Sequence, residues 1–111
     1  MNGLVIYLVI GFLTLAPALG WPQNKESYTI VIKNHHFDPA QLNVPAGQKI
    51  KLTVDNQDPT AEEFESFELN REKIVSGNKK ITVFIGPLRP GSYKYFGDFH
   101  LKEAQGTIVA Q

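Results

Sequence analysis

From Lys49 to Asn56 the chain reads KIKLTVDN, with apolar and polar residues in strict alternation. Ile50, Leu52 and Val54 fall on one side; Lys49, Lys51, Thr53 and Asp55 fall on the other. A period of two belongs to a β-strand, because successive side chains of an extended chain leave on opposite faces. The pattern recurs. Ser27–Lys33 places Tyr28, Ile30 and Ile32 together, and Lys80–Gly86 aligns Ile81, Val83 and Ile85. Gln41–Val44, Phe64–Leu69, Glu72–Val75, Ser92–Phe96 and Gly106–Gln111 are shorter β-like runs, separated by the turn segments PAGQ, QDPT, SGN and PLRPG. NHHFDPA reads as a loop around Pro39. No segment after Trp21 carries a sustained helical period. AEEFESFELNREK is rich in helix formers, yet Phe64, Phe67 and Leu69 do not mark out a helical stripe. This pattern predicts an all-β sandwich of about seven or eight strands. The chain has no cysteine, so the sandwich must stand on its core without disulfides and offers no thiolate to a metal.

Charge divides the chain. Residues 1–20 contain no Asp, Glu, Lys or Arg, and an apolar run from Leu4 to Leu15 leads into small residues and a proline. This is the form of a secretory signal peptide, with cleavage expected after Gly20. The run is short for an uncleaved membrane anchor, the rival reading. The expected organisation is a signal peptide over 1–20, a polar leader over 21–26 and one domain over 27–111. Eleven basic residues balance eleven acidic ones, so no net charge draws the domain to nucleic acid. There is no glycine-rich phosphate loop and no G-x-S-x-G motif.

Two short patterns carry potential chemistry. Glu63-Phe64-Glu65 flanks an aromatic with carboxylates, and Asp98-Phe99-His100 repeats the shape with an acid and an imidazole. On strands each pair would share a face and turn its Phe toward the core, so that Phe64 and Phe99 anchor the two pairs. Brought side by side, such a set suits Fe(II), Mn(II), Zn(II) or Cu(II). His35 and His36 are adjacent, so on an extended chain only one of them can face the same site. Structural readings compete. Glutamates guard an edge strand against pairing. Glu62, Glu63, Glu65 and Glu68 also lie close to Arg71 and Lys73, either of which could neutralise them. Without a cation among them, one carboxyl should titrate high.

FDPAQLNVPAGQKIKLTVDNQD, GPLRPGSYKYFGDFH and AQGTIVAQ together resemble the cupredoxin-like family, from Phe37 to Gln111. The resemblance implies a Greek-key β-sandwich with a copper site of two His, one Cys and one Met. Here the first histidine position holds Glu63, the cysteine position Gly97 and the methionine position Gln105, while the second histidine is kept as His100. Blue-copper electron transfer needs the missing thiolate. TAEEFESFELNREKIVSGN and FGDFH are similar to a subgroup of exported cupredoxin-like proteins of bacterial ferrous-iron permease systems. That similarity implies a periplasmic metal-binding protein of iron uptake, holding Fe(II)/Fe(III) or Cu(II) through Glu63, Glu65, Asp98 and His100, with His35 as a further ligand. It implies periplasmic or membrane permease components as partners, and allows a role in Fe(II) oxidation. The alternatives are a metal-free docking module for a membrane permease and a periplasmic copper carrier.

Overall fold

In a computed structural model that describes residues 27–111, the alternating runs form nine strands. They are β1 (Ser27–Lys33), β2 (His36–Asp38), β3 (Gln41–Val44), β4 (Ile50–Asn56), β5 (Glu62–Ser66), β6 (Arg71–Val75), β7 (Lys80–Ile85), β8 (Gly91–Phe96) and β9 (Gln105–Ala110). A single 3-10 turn, Asp98–His100, lies between β8 and β9. The expected signal segment and polar leader lie outside the described residues.

The strands build two sheets, ordered β2-β1-β4-β7 and β3-β9-β8-β5-β6. Each sheet mixes pairings: β1 runs parallel to β4 and β3 parallel to β9, while the remaining neighbours are antiparallel. This is the expected all-β sandwich, with nine strands where seven or eight were expected. The extra strand is β2, inside the segment read as a loop. Three residues are too few to show a period, and only the register Lys33↔His36 to Val31↔Asp38 reveals it. The segment AEEFESFELNREK is also extended, forming β5, a turn and β6.

The alternation correctly sorts inside from outside. Ile30, Ile32, Ile50, Leu52, Val54, Val83 and Ile85 are buried between the sheets. Phe64, Phe37 and Tyr95 add an aromatic cluster toward one end, with the Tyr95 ring centroid 4.9 Å from Phe37 and 5.1 Å from Phe64. Each such side chain contributes about 1.5–3 kcal/mol on burial. Tyr95 also explains Gly106 on the neighbouring β9, because an added Cβ there would lie 2.2 Å from the Tyr95 ring carbon Cζ. The turn between β1 and β2, the start of β5 and the 3-10 turn after β8 converge near this aromatic cluster.

Candidate metal centre

His35 reaches the site from a two-residue hairpin turn. Asn34 and His35 both have positive φ, 52° and 63°, as the tight turn matching strand twist requires. Asn and His tolerate this region better than most residues with a Cβ. Asp58 secures the turn: Oδ1 accepts from the Asn34 amide at 2.8 Å and Oδ2 from the His35 amide at 2.9 Å. Asp58 is itself held by Asn56, whose Oδ1 accepts from the Asp58 amide while its Nδ2 donates to carbonyls of Thr60, Val75 and Ser76. Burial pushes the Asp58 carboxyl up. The amides of His35 and Asn34 and the imidazoles of His35 and His100 outweigh that and hold it below the ordinary value. The His35 Nδ1 atom is buried without a hydrogen-bond partner, 3.6 Å from Asp58 Oδ2.

Glu62 opens β5 with the same parity as Phe64, so it points inward, and only 1% of it is exposed. Its Oε1 accepts from the Glu63 amide at 2.9 Å and the Phe99 amide at 3.1 Å, and its Oε2 accepts from His100 Nδ1 at 2.5 Å. A carboxylate this deep must be paired and hydrogen-bonded to persist. Space for it depends on Gly97, where an added Cβ would come 2.7 Å from the Glu62 carboxyl and 2.8 Å from Ala104 Cβ. His100 ends the 3-10 turn. Its amide donates to Gly97 O, and its own carbonyl accepts from Ala104 N.

His35 and His100 stack face to face, with ring centroids 3.6 Å apart and planes 12° from parallel. His35, Glu62 and His100 each place a possible ligand atom within 4.8 Å of the others. Two imidazoles and one carboxylate suit borderline ions such as Cu(II), Fe(II) and Zn(II). His35 Nδ1 makes no hydrogen bond, and its ion-pair contact with Asp58 Oδ2 is long, at 3.6 Å. A thiolate copper centre does not fit this chain, which has no cysteine. The in-plane lone pairs of the two rings lie in nearly parallel planes about 3.6 Å apart, so joint ligation of one ion would require the rings to tilt.

The structure divides the five expected ligands. His35 and His100 meet, and their carboxylate partner is Glu62. Glu63 and Glu65 face the other side of the sheet, where they meet Glu72 on β6. Asp98 is exposed and joins neither group. The structure does not bring Glu63 and Glu65 together with Asp98 and His100, for two reasons. Phe64 does turn into the core as expected, and that puts its two neighbours outside. Asp98–His100 is a 3-10 turn with about three residues per turn, so residues two apart do not share a face. Phe99 is accordingly 48% exposed and anchors nothing in the core. His36 is exposed and donates through Nδ1 to Asn34 O. The reading missed Glu62 and Asp58. A ligand at the core end of β5 must share parity with Phe64, which singles out Glu62, and the Asn56-x-Asp58 turn marks the brace.

A family model described as a cupredoxin-like domain matches residues 4–110. An uncharacterised protein of Rickettsia prowazekii (strain Madrid E) is 50% identical over 80 residues, which are 72% of this chain and 64% of that protein. The match thus spans less than two thirds of that relative's length. Among solved structures, reduced auracyanin from Roseiflexus castenholzii superposes with a TM-score of 0.65 at 15% identity, covering 78% of this chain and 98% of that one. Auracyanin A from Chloroflexus aurantiacus, a blue copper protein, gives 0.65 at 17%, covering 77% and 98%. The metal-binding domain of a Cu(I)-exporting P-type ATPase from Streptococcus pneumoniae gives 0.65 at 16%, covering 77% and 84%. At these identities the structural likeness concerns the fold. The match over nearly the whole sequence carries the assignment: this chain belongs to the cupredoxin-like family.

Proposed function

We propose that this protein is an exported, periplasmic metal-binding cupredoxin that serves a ferrous-iron permease system, holding Cu(II) or Fe(II) at His35, Glu62 and His100. The observation that carries the metal-binding part is the meeting of two imidazoles with a nearly inaccessible carboxylate, beside a buried His35 Nδ1 that makes no hydrogen bond. The iron-uptake setting rests on the likeness of TAEEFESFELNREKIVSGN and FGDFH to the permease-associated subgroup. When bound, the metal supplies Lewis acidity and, for copper or iron, a redox couple. The protein's part is to orient two imidazoles through Asp58 and the 3-10 turn, and to exclude water from Glu62. Ligation requires deprotonated groups, so affinity falls as pH drops.

A role in Fe(II) oxidation belongs to the same proposal. An aerobic Fe(II) assay with and without Cu(II) tests it, and a rate equal to the metal-only blank removes it. The copper-carrier reading is weaker for Cu(I), which prefers sulfur: the chain has no cysteine and its one methionine is Met1. The metal-free docking module draws support from the separation of Glu63 and Glu65 from His100. Calorimetric titration of the full chain with Cu(II), and with Fe(II) without oxygen, decides between them. Binding lost in both Glu62→Ala and His100→Ala supports the centre. Absence of binding by the wild type leaves the docking reading.

A further inference from the structure

On the opposite face of β5 from Glu62, three carboxylates meet, and among the described residues none of them forms an ion pair. Glu63, Glu65 and Glu72 each place an oxygen within 4.8 Å of the others. The β5–β6 register brings this about: Glu65 stands opposite Glu72 and Glu63 opposite Ile74, so all four lie on the outer side of the sheet. Neither nearby basic residue forms an ion pair with the cluster, although Arg71 lines the groove beside it. Arg71 spends its guanidinium on carbonyls of Phe84, Leu69 and Asn70. Lys73 is paired with Phe64 and alternates to the other face. Among the described residues the ion pairs are His35–Asp58 and His100–Glu62, and neither touches this cluster.

Exposed glutamates on a β-edge need no ligand to explain them, but Glu63 is different. It is only 6% exposed, and its Oε1 is buried without a hydrogen-bond partner. Buried polar atoms left unpaired are rare and costly. A groove of about 480 Å³, lined by Glu65, Ser66, Phe67, Asn70, Arg71 and Glu72, opens beside the cluster and gives solvent a route to two of its carboxylates.

We propose that Glu63, Glu65 and Glu72 form a second cation site, distinct from the imidazole centre, for a hard, oxygen-seeking di- or trivalent ion of the Mn(II), Ca(II) or Fe(III) kind. The donor set is all carboxylate, which such ions prefer over imidazole or sulfur. Waters would complete the coordination from the groove side. Consecutive residues of β5 then serve two centres of different hardness, one on each face of the sheet.

Titration of the full chain at neutral pH with Mn(II), and separately with Tb(III) as a luminescent hard-ion probe, tests the site. Wild type and His100→Ala should bind both probes alike. Glu63→Gln and Glu72→Gln should each weaken them by about tenfold or more, at least the cost of losing even a supporting partner of a metal site. Cu(II) binding at the imidazole centre should show the reverse dependence, so failure of one site is distinguishable from failure of the other. Glu63→Gln is isosteric, and Glu72 is exposed, so a folding defect in one variant leaves the other informative. The proposal is overturned if the wild type binds neither probe, if both Glu variants bind as the wild type does, or if His100→Ala abolishes hard-ion binding.

Discussion

Glu62 and Glu63 are neighbours in the chain and point to opposite faces of one sheet. Glu62 accepts hydrogen bonds from His100 Nδ1 and the Phe99 amide, whereas Glu63 lies against Glu65 and Glu72 with one oxygen unpartnered. Both are buried. A strand's pleat thus sends two consecutive acids into different chemistry, one beside imidazoles and one among other carboxylates.

Replacing Glu62 by Ala should lower stability by roughly 1–3 kcal/mol, because the Phe99 amide and the His100 imidazole lose their acceptor. Urea unfolding of the metal-free protein reads this directly. Cu(II) affinity should be lost in the same variant.

Gly97→Ala should act through Glu62. The backbone there is extended, with φ −106°, so the new methyl brings no dihedral strain, but it would overlap the Glu62 carboxyl and Ala104. Overpacking of this kind costs about 1–3 kcal/mol. Thermal unfolding and Cu(II) titration should both fall, while Gly47→Ala, whose methyl would meet open space but whose φ of 77° strains any residue with a Cβ, should lower thermal stability and leave Cu(II) affinity intact.

Asp58→Asn keeps the size of the brace and removes its charge. The Asn34–His35 turn should lose one of its two acceptors, and His35 should wander. Metal affinity is expected to drop about 10–100-fold, as for other residues that orient a ligand. Near-unchanged circular dichroism alongside that drop distinguishes a brace from a fold defect.

Stability should depend on Glu63 across the acid-to-neutral range. Its folded value, about 7, lies above the ordinary 4.5. Between those values the folded protein holds a proton that the unfolded chain has released, so stability is greatest below the ordinary value and declines as pH rises through 7. Chemical denaturation of the metal-free protein over this range should show the decline in wild type and a flatter profile in Glu63→Gln.

Much of this architecture was legible in the residues. Strict alternation in Lys49–Asn56 and Ser27–Lys33 placed Ile30, Ile32, Leu52 and Val54 in the core, and burial alone enforces that pattern. The dense acids of β5 announced a high-titrating carboxyl if no cation intervened, and neither Arg71 nor Lys73 forms an ion pair with them. What could not be read was local geometry that has no period. The 3-10 turn breaks the two-residue rule at Asp98 and His100, and the β1–β2 hairpin hides in three residues. The carboxylate partner of His100 depended on which face of β5 the site occupies, a question of how the loops close over the sandwich. The pair Phe64 and Phe99 shows the difference in energy: Phe64→Ala should cost about 3–5 kcal/mol, whereas Phe99→Ala should stay within about 0.5 kcal/mol, as denaturant midpoints would show.

The most direct test of the imidazole centre is pulsed electron paramagnetic resonance on the full chain loaded with one equivalent of Cu(II). Echo modulation from two imidazole nitrogens is expected, reduced to one in His35→Ala and in His100→Ala and unchanged in Glu63→Gln. A spectrum with no imidazole coupling, or one that Glu63→Gln alters and His35→Ala does not, would contradict it.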